Sequence, residues 1–204
     1  MIAARRGESI VLASNNAGKV REINELLASE QIKIVPQGEL GVPEAEETGL
    51  TFVENAILKC RNAARHSGLA AIADDSGIEV DALHGAPGIY SARFARPGAS
   101  DAENLQKLIA DLRDVPEAQR SARFQCLMVY MRHGEDPTPV ICQGTWEGRI
   151  LLSPRGDNGF GYDPVFYVPN EDRSAAELEA AAKNRLSHRG QALRALVRYL
   201  RRGD

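Results

Sequence analysis

The sequence has few cysteines and contains no long apolar run. Its three cysteines, Cys60, Cys126 and Cys142, lie in apolar or helical runs and show no metal-ligand spacing. An odd number of such residues predicts reduced thiols rather than a disulfide framework. No apolar segment approaches the roughly 18 residues of a membrane-spanning helix, and the amino-terminal MIAARRGES lacks an apolar signal core. We therefore expect a cytoplasmic protein with no membrane partner.

The chain also lacks a dominant sign of charge. Its net charge is -3 over 204 residues, with both signs interspersed, which gives no global reason to expect nucleic acid as the main partner. The exception is segment 180–203, which carries seven Lys or Arg residues and no acid. Because no aromatic array interrupts it, this segment favours a solvated helix face with one anion site. A small soluble ligand is the expected partner.

The first part of the chain alternates between short apolar runs and helical patterns. Strands are predicted at 9–13, 33–35 and 69–73, and amphipathic helices are predicted between them. The second helix opens with the capping box Thr51–Glu54. This alternation is typical of an α/β architecture.

The second part of the chain predicts longer strands. Runs 122–132 and 139–151 are separated by a short polar link and predict a β-hairpin. Helices are predicted at 101–114 and 175–183, followed by a closing helix. The length of the hairpin suggests an antiparallel layer beyond the first region. We therefore expect residues 1–204 to form a single domain of two lobes with a groove between them.

The segment SNNAGK follows the first predicted strand and precedes a helix expected to begin near Gly18 or Lys19. The first amides of such a helix, its dipole and the charge of Lys19 would all favour a phosphate group. The Walker A pattern GxxxxGK[ST] is absent. An ordinary strand–helix connection, with Asn15 and Asn16 as turn residues, stays open as the alternative.

Two adjacent carboxylates, Asp74 and Asp75, stand at the end of the apolar run AIA, and Ser76-Gly77 is expected to form a turn after them. If the strand geometry persists, the carboxylates point to opposite sides, so that one faces a cleft and the other anchors the loop. A paired acid suits Mg²⁺, which is usually held by one or two carboxylates and by substrate phosphates. The alternative is that both residues only cap and turn the chain.

Glycines stand on both sides of Phe160 in the segment DNGFGYDPVFYVP. They would let the ring and the backbone approach a planar ligand closely, although a tight turn before a strand has the same composition. Lys59 lies to one side of the apolar face of its predicted helix, so its side chain reaches either a cleft edge or water.

The segments SNNAGK, EETGLTFVENAILK, ADDSG, GAPGIYSARF, GFGYDPVF and SHRGQAL occur in this order. Together they strongly resemble the non-standard purine nucleoside triphosphate pyrophosphatases, also called inosine or xanthosine triphosphate pyrophosphatases, from about Ile10 to Leu196. The resemblance implies an α/β fold with a mixed elongated central sheet, flanking helices and two lobes enclosing a substrate cleft. It also implies a homodimer and Mg²⁺-dependent hydrolysis of ITP, dITP or XTP to the monophosphate and pyrophosphate.

The resemblance further implies roles for individual residues. Asp75 matches the catalytic carboxylate, which also contacts the metal, and Glu47 matches a second metal ligand. The implied substrate contacts are Ser14, Asn15, Asn16, Ala17, Gly18, Lys19, Ser76, Phe160, Gly161, Tyr162, Asp163, Lys183, His188 and Arg189. Lys59 matches a recurring lysine of the family, and Asp74 is a further candidate.

These implied roles agree with the chemistry of the residues. A triphosphate brings about four negative charges, so lysines, helix amides and Mg²⁺ are needed to bind it. One alternative is a less selective nucleotide pyrophosphatase. Another is a nucleotide- or nucleic-acid-binding module that uses Lys19 and the basic carboxy-terminal segment without turnover, against which the pair Asp74-Asp75 argues.

Overall fold

The computed structural model describes residues 9–27 and 32–201, so the first eight residues, on which the absence of a signal core partly rests, lie outside it. The described strands are β1 Ser9–Leu12, β2 Lys33–Pro36, β3 Ala70–Val80, β4 Ser121–Met131, β5 Val140–Ile150, β6 Phe166–Val168 and β7 Arg173–Ser174. The described α-helices are α1 Ala17–Leu27, α2 Phe52–Ser67, α3 Asp101–Asp111, α4 Ala180–Leu186 and α5 His188–Arg201.

These strands form one mixed sheet in the order β2-β1-β3-β4-β5-β6-β7. Strands β2 and β3 both run parallel to β1, so that Ile10 lies between Ile34 and Ala70. Strand β6 runs antiparallel to β5 and to β7. Consecutive strands β4 and β5 are neighbours in the sheet and are joined by the short segment 132–139. The predicted α/β fold with a mixed central sheet and the predicted hairpin are therefore confirmed.

The chain divides into two compact units. Among the described residues, unit 1 comprises residues 9–27, 32–75, 126–144 and 189–201, and unit 2 comprises residues 76–125 and 145–188. The expected organisation as a single domain of two lobes around a cleft stays a prediction.

The core of unit 1 lies on both faces of its part of the sheet. Ile10 and Leu12 of β1 pack in one cluster with residues of α1 and α5, whereas Val11 and Ala13 pack in another with residues of α2. Successive side chains of a strand point to opposite faces, so α1 and α5 cover one face and α2 covers the other. The short apolar run of β1, buried on both faces, is what a parallel strand requires.

Unit 2 has a core of its own. Leu105, Leu108 and Leu112, from α3 and its end, pack in one cluster with Trp146 and Phe166. The rings of Trp146 and Phe166 are 5.2 Å apart between centroids, and Trp146 is only 6% exposed. The helix predicted at 101–114 is therefore present, although α3 ends at Asp111.

Two local predictions are wrong. Ser76-Gly77 does not turn the chain, because β3 continues through it to Val80. Ile78 and Val80 are fully buried in the core of unit 2, and β3 lies beside β4 in the sheet. Pairing and burial thus outweigh the local turn preference.

The helix predicted at 175–183 is also wrong, because the chain forms a short 3₁₀ helix at Ala175–Glu177 and then α4. Leu178 interrupts the helix in an extended conformation and is only 2% exposed. Its carbonyl oxygen accepts a hydrogen bond from Asn158 Nδ2 at 3.3 Å. Burial of this side chain in the core of unit 2 explains the break.

All three cysteines are free and buried, in agreement with the predicted reduced thiols. Burial raises the pKa of the Cys60 and Cys126 thiols to about 12, which keeps them protonated and inert. None of the helices in the part of the chain that the structure describes has the length and apolar character needed to cross a membrane.

Candidate active site

The loop between β1 and α1 is closed by its own side chains. Asn16 Oδ1 accepts a hydrogen bond from Lys19 N at 3.0 Å and caps the helix. Ser14 Oγ accepts from Asn16 N at 3.2 Å, and Asn15 Nδ2 donates to Glu44 Oε1 at 2.8 Å. Helix α1 begins at Ala17, close to the predicted start. The amides of Ala17 and Gly18, which precede Lys19 in the first turn, have no partner within the helix, so the loop can present these two amides to an anion.

Lys19 projects from the first turn of α1 to the first of the two adjacent carboxylates. Its Nζ lies 3.0 Å from Asp74 Oδ2. The two residues meet because β1 and β3 are parallel neighbours, with Ala13 N donating to Ile72 O at 2.8 Å. Lys19 therefore follows the carboxyl end of β1, and Asp74 follows the part of β3 that pairs with β1. This is the edge at which α/β sheets place their ligands.

Asp74 also contacts Arg189, whose Nε and Nη2 lie 3.5 Å from Asp74 Oδ2. Arg189 Nη1 pairs with Glu22 of α1. Asp74 is 1% exposed and Arg189 is 3% exposed. Burial would raise the pKa of Asp74, but Lys19, Arg189 and Lys59 outweigh burial and hold the pKa below its usual value. Asp74 is thus an ionised carboxylate that fixes two cations.

Asp75 points to the other side of the strand and contacts a different lysine. Lys59 Nζ lies 2.7 Å from Asp75 Oδ1 and 2.9 Å from Glu47 Oε1. Asn55 Nδ2 donates to Asp75 Oδ2 at 3.4 Å. The expectation that persistent strand geometry sends the two carboxylates to opposite sides agrees with these separate partners.

The pKa of Asp75 is raised. Burial is the main cause, and the ammonium of Lys59 opposes it only in part. Burial lowers the pKa of Lys59, but the carboxylates of Asp75, Asp74 and Glu47 outweigh burial, so the pKa of Lys59 is raised. The site therefore contains a carboxyl group with a strengthened affinity for protons beside a lysine that stays charged.

The loop that carries Glu47 is held against the start of α2. Gly49 N donates to Asn55 Oδ1 at 2.9 Å, and Leu50 N donates to Glu54 Oε2 at 2.9 Å. A Cβ at Gly49 would lie 2.6 Å from Glu54 Cβ, so only glycine allows this approach. Thr51 Oγ1 accepts from Glu54 N at 3.3 Å, as the capping pattern predicts.

A second group of predicted site residues lies in unit 2. Lys183 Nζ is 2.8 Å from Asp163 Oδ2 and 4.9 Å from the centroid of the Phe160 ring. Phe160 N donates to the same carboxylate oxygen at 2.8 Å. Gly159 has φ +78°, and a Cβ there would lie 2.1 Å from Asp163 Oδ2. These contacts fix a half-buried phenylalanine ring on a tight, glycine-dependent turn.

The neighbours of Phe160 are anchored in the same unit. Tyr162 is 5% exposed, and its hydroxyl donates to Ser91 O at 2.8 Å. Gly161 N donates to Asp101 Oδ2 at 2.8 Å. His188 is 6% exposed and stacks on the Phe124 ring, with centroids 4.7 Å apart.

The predicted residues thus fall into two groups. Unit 1 brings together Ser14, Asn15, Asn16, Ala17, Gly18, Lys19, Glu47, Lys59, Asp74, Asp75 and Arg189, whereas unit 2 holds Ser76, Phe160, Gly161, Tyr162, Asp163, Lys183 and His188. Sequence reasoning missed two members of the unit 1 cluster, Glu22 and Asn55. Both are polar residues beside apolar core positions of a helix, and that contrast was the available signal.

The unit 1 cluster can also be tested for a metal. Glu47 and Asp75 already share one cation, the ammonium of Lys59, and their oxygen donors are of the type that Mg²⁺ prefers. Among residues 9–27 and 32–201, no group of three or more His, Cys, Asp or Glu residues is placed to hold a metal. The donor set therefore fits a cation that takes two carboxylates from the protein and its other ligands from phosphate or water.

The fold and the cluster define a mixed α/β protein in which the capped start of α1 lies beside two lysine–carboxylate contacts. The chain belongs to the Ham1 family, whose model matches residues 10–199. It is 63% identical over 191 residues to the dITP/XTP pyrophosphatase of Thioalkalivibrio sulfidiphilus (strain HL-EbGR7), covering 94% of this chain and 97% of that protein. It is 59% identical over 196 residues to the dITP/XTP pyrophosphatase of Escherichia coli O157:H7, covering 96% and 100%.

A solved structure agrees with this assignment. The HAM1 protein of Coxiella burnetii is 52% identical and superposes with a TM-score of 0.89, covering 96% of this chain and 99% of that one.

Proposed function

We propose that this protein hydrolyses non-standard purine nucleoside triphosphates, ITP, dITP and XTP, to the monophosphate and pyrophosphate. The observation that carries the proposal is the contact of Lys59 with Asp75 at 2.7 Å, next to the contact of Lys19 with Asp74 at 3.0 Å. It places a carboxyl of raised pKa among cations that suit phosphate oxygens. The names of the relatives from T. sulfidiphilus and E. coli support the substrate class.

Asp75 is the proposed general base. The pKa of Asp75 is raised, and so is closer to neutral pH than that of an ordinary carboxyl group. A base with such a pKa takes a proton from water more readily. The water oxygen forms a bond to the α-phosphorus as the bond from that phosphorus to the bridging oxygen breaks. Asp75 takes one proton of the water, and pyrophosphate leaves with the bridging oxygen.

Lys19 and Lys59 are the proposed phosphate ligands. Their side chains are 17% and 14% exposed, so each ammonium can reach a ligand while a carboxylate holds it in place. The amides at the start of α1 would add donors for the same charge. Asp74 is buried against Lys19 and Arg189. Its proposed role is to position these two residues, and not to act as a base.

Glu47 and Asp75 are the residues that would hold Mg²⁺. A bound Mg²⁺ would neutralise phosphate charge and ease the deprotonation of water. Both carboxylates contact Lys59. Because carboxylates repel the negative charge of a triphosphate, a cation is needed between them and the substrate.

We assign the purine to Phe160–Asp163, with Ser76, Lys183, His188 and Arg189 as further substrate contacts. The half-buried Phe160 ring offers a stacking surface, and Lys183 and Asp163 hold its turn. Arg189 is a pure donor and would prefer the 6-oxygen of hypoxanthine or xanthine to the 6-amino group of adenine. We further propose that the protein acts as a cytoplasmic homodimer, without nucleic acid.

A substrate panel tests the proposal. Pyrophosphate release is measured with ITP, dITP, XTP, GTP, ATP and dUTP, each with and without Mg²⁺. We expect release from the first three at much higher kcat/KM, and only with Mg²⁺. Equal turnover of dUTP or ATP would instead identify a less selective pyrophosphatase. Binding without release would identify a nucleotide-binding module.

A further inference from the structure

Unit 2 contains a cavity of about 370 Å³ that shares no residue with the candidate active site. Three arginines, Arg120, Arg149 and Arg155, line it, and we call it the arginine pocket. Two carboxylates, Glu117 and Asp172, also line it. The volume lies in the range of pockets that hold small molecules.

Arg120 is the most informative residue of the arginine pocket. It is 9% exposed, and its Nη1 donates to Ile150 O at 3.0 Å. Its own carbonyl oxygen accepts from Ile150 N at 2.9 Å, so the residue is fixed at both ends. Its Nε is shielded from solvent and has no hydrogen-bond partner. Among the described residues, none gives Arg120 a carboxylate, although a buried guanidinium without a counter-charge is costly.

Arg149, which lies in β5, shows the same feature. Its Nε is also buried without a hydrogen-bond partner. Its guanidinium lies 4.3 Å from the centroid of the Tyr167 ring, and its Nη2 lies 3.3 Å from Glu117 Oε1. The tyrosine ring and the carboxylate thus hold this guanidinium in place in the lining of the pocket.

The carboxylates of the pocket neutralise only part of the charge of the arginines. Glu117 is engaged by Arg149, and Asp172 accepts a hydrogen bond from the Tyr167 hydroxyl. Arg155 adds a third, exposed guanidinium on an anchored backbone, because Arg155 N donates to Pro164 O at 2.8 Å. Three guanidinium groups and two carboxylates line the pocket, so its lining carries one excess positive charge.

We propose that the arginine pocket binds a small phosphorylated molecule. Guanidinium groups match the geometry of phosphate oxygens and can donate to them in pairs. The pocket is larger than one phosphate group requires, and Leu151, Leu152 and Tyr167 give it an apolar wall for the rest of the ligand. The phosphate can come from inorganic phosphate or pyrophosphate, or from a nucleoside monophosphate. The inference rests on the three arginines that line one cavity and is independent of the function proposed above.

Calorimetric titration of the full-length protein tests the arginine pocket. Phosphate, pyrophosphate and inosine monophosphate are titrated separately, with EDTA and at constant ionic strength. Wild type is compared with Arg155→Gln and Arg149→Gln, which spare the fixed Arg120. Arg65→Gln is the matched control, because Arg65 also pairs with a glutamate, Glu135, but lies in unit 1.

We expect each of the variants Arg155→Gln and Arg149→Gln to bind one equivalent less of at least one of these ligands, or to bind that ligand about tenfold or more weakly than wild type does. Arg65→Gln should bind as wild type does. The ligand affected distinguishes the two sources of phosphate. Unchanged stoichiometry and affinity in both pocket variants would overturn the proposal. A further titration of wild type with sulfate would also overturn it if sulfate bound as tightly as phosphate. Sedimentation showing that Arg155→Gln converts a dimer to a monomer, without any change in ligand binding, would assign the pocket to a second copy of the chain and also overturn it.

Discussion

The adjacent residues Asp74 and Asp75 on β3 have opposite pKa shifts. Both are buried, but the pKa of Asp74 is held down by Lys19, Arg189 and Lys59, whereas the pKa of Asp75 stays raised because burial outweighs the effect of Lys59. Two carboxyl groups whose environments separate their proton affinities are suited to different roles. The opposite shifts agree with the roles proposed above, in which Asp74 stays an anion and Asp75 exchanges a proton.

Asp75→Asn should reduce turnover of ITP by about 10² to 10⁴, because it removes the proposed base while preserving size. The measurement is kcat at saturating Mg²⁺, with circular dichroism as a check on folding. Asp111→Asn is the control, since Asp111 also contacts a lysine, Lys107, at 2.6 Å but in an exposed pair. Retention of more than a tenth of wild-type turnover would remove Asp75 from the role of base.

Lys59→Gln should move the acid limb of the kcat profile to higher pH. Lys59 lowers the pKa of Asp75, so its removal leaves burial and Glu47 to raise that pKa further. The pH dependence of kcat is measured for wild type, Lys59→Gln and the exposed control Lys107→Gln. An acid limb that stays in place in Lys59→Gln would show that a group other than Asp75 titrates in the reaction.

Lys19→Ala should weaken the binding of ITP about tenfold or more while leaving inosine unaffected, because its ammonium is proposed to contact phosphate. Calorimetry in the Asp75→Asn background avoids turnover. Arg21→Ala, on the exposed side of the same helix, is the control. An equal loss of affinity for ITP and inosine would contradict a phosphate contact.

Asp74→Asn should destabilise the protein at neutral pH by about 3–5 kcal/mol, because Lys19 and Arg189 lose their buried counter-charge. The folded-state pKa of Asp74 is below its ordinary value of 3.8, so its stabilisation is present above that pH and is lost as the pH falls. Urea unfolding should show that the difference in the free energy of unfolding between wild type and variant is smaller at about pH 3 than at pH 7.

Asp114→Asn serves as the control for that experiment, since Asp114 is exposed. A gap that does not change with pH would show that Asp74 contributes through packing rather than through its charge.

Arg189→Ala should lower kcat/KM for ITP and XTP more than for ATP, compressing the ITP-to-ATP ratio by about tenfold, because a guanidinium discriminates a 6-oxygen from a 6-amino group. Arg189 also pairs with Asp74 and Glu22, so the variant should lose stability too. The ITP-to-ATP ratio separates the two effects, since the loss of a purely structural role would lower kcat/KM for all substrates alike. Arg194→Ala, exposed on the same helix, is the control.

The sequence by itself determined most of the secondary structure and the main candidate residues. The apolar run of β1, the helical spacing in α1 and the capping pattern at Thr51 and Glu54 act over a few residues, so a linear reading detects them. The same is true of the charge of Lys19 near the start of a helix and of the two adjacent carboxylates.

Tertiary structure decided the features that depend on distant partners. Ser76-Gly77 is a turn by local preference, but burial of Ile78 and Val80 keeps it in a strand. Glu22 and Arg189 lie 167 residues apart in sequence and meet only in the fold. The opposite pKa shifts of Asp74 and Asp75 likewise depend on burial and on charges from other elements. Side-chain proximity of this kind follows from how strands and helices pack, which no short stretch of sequence encodes.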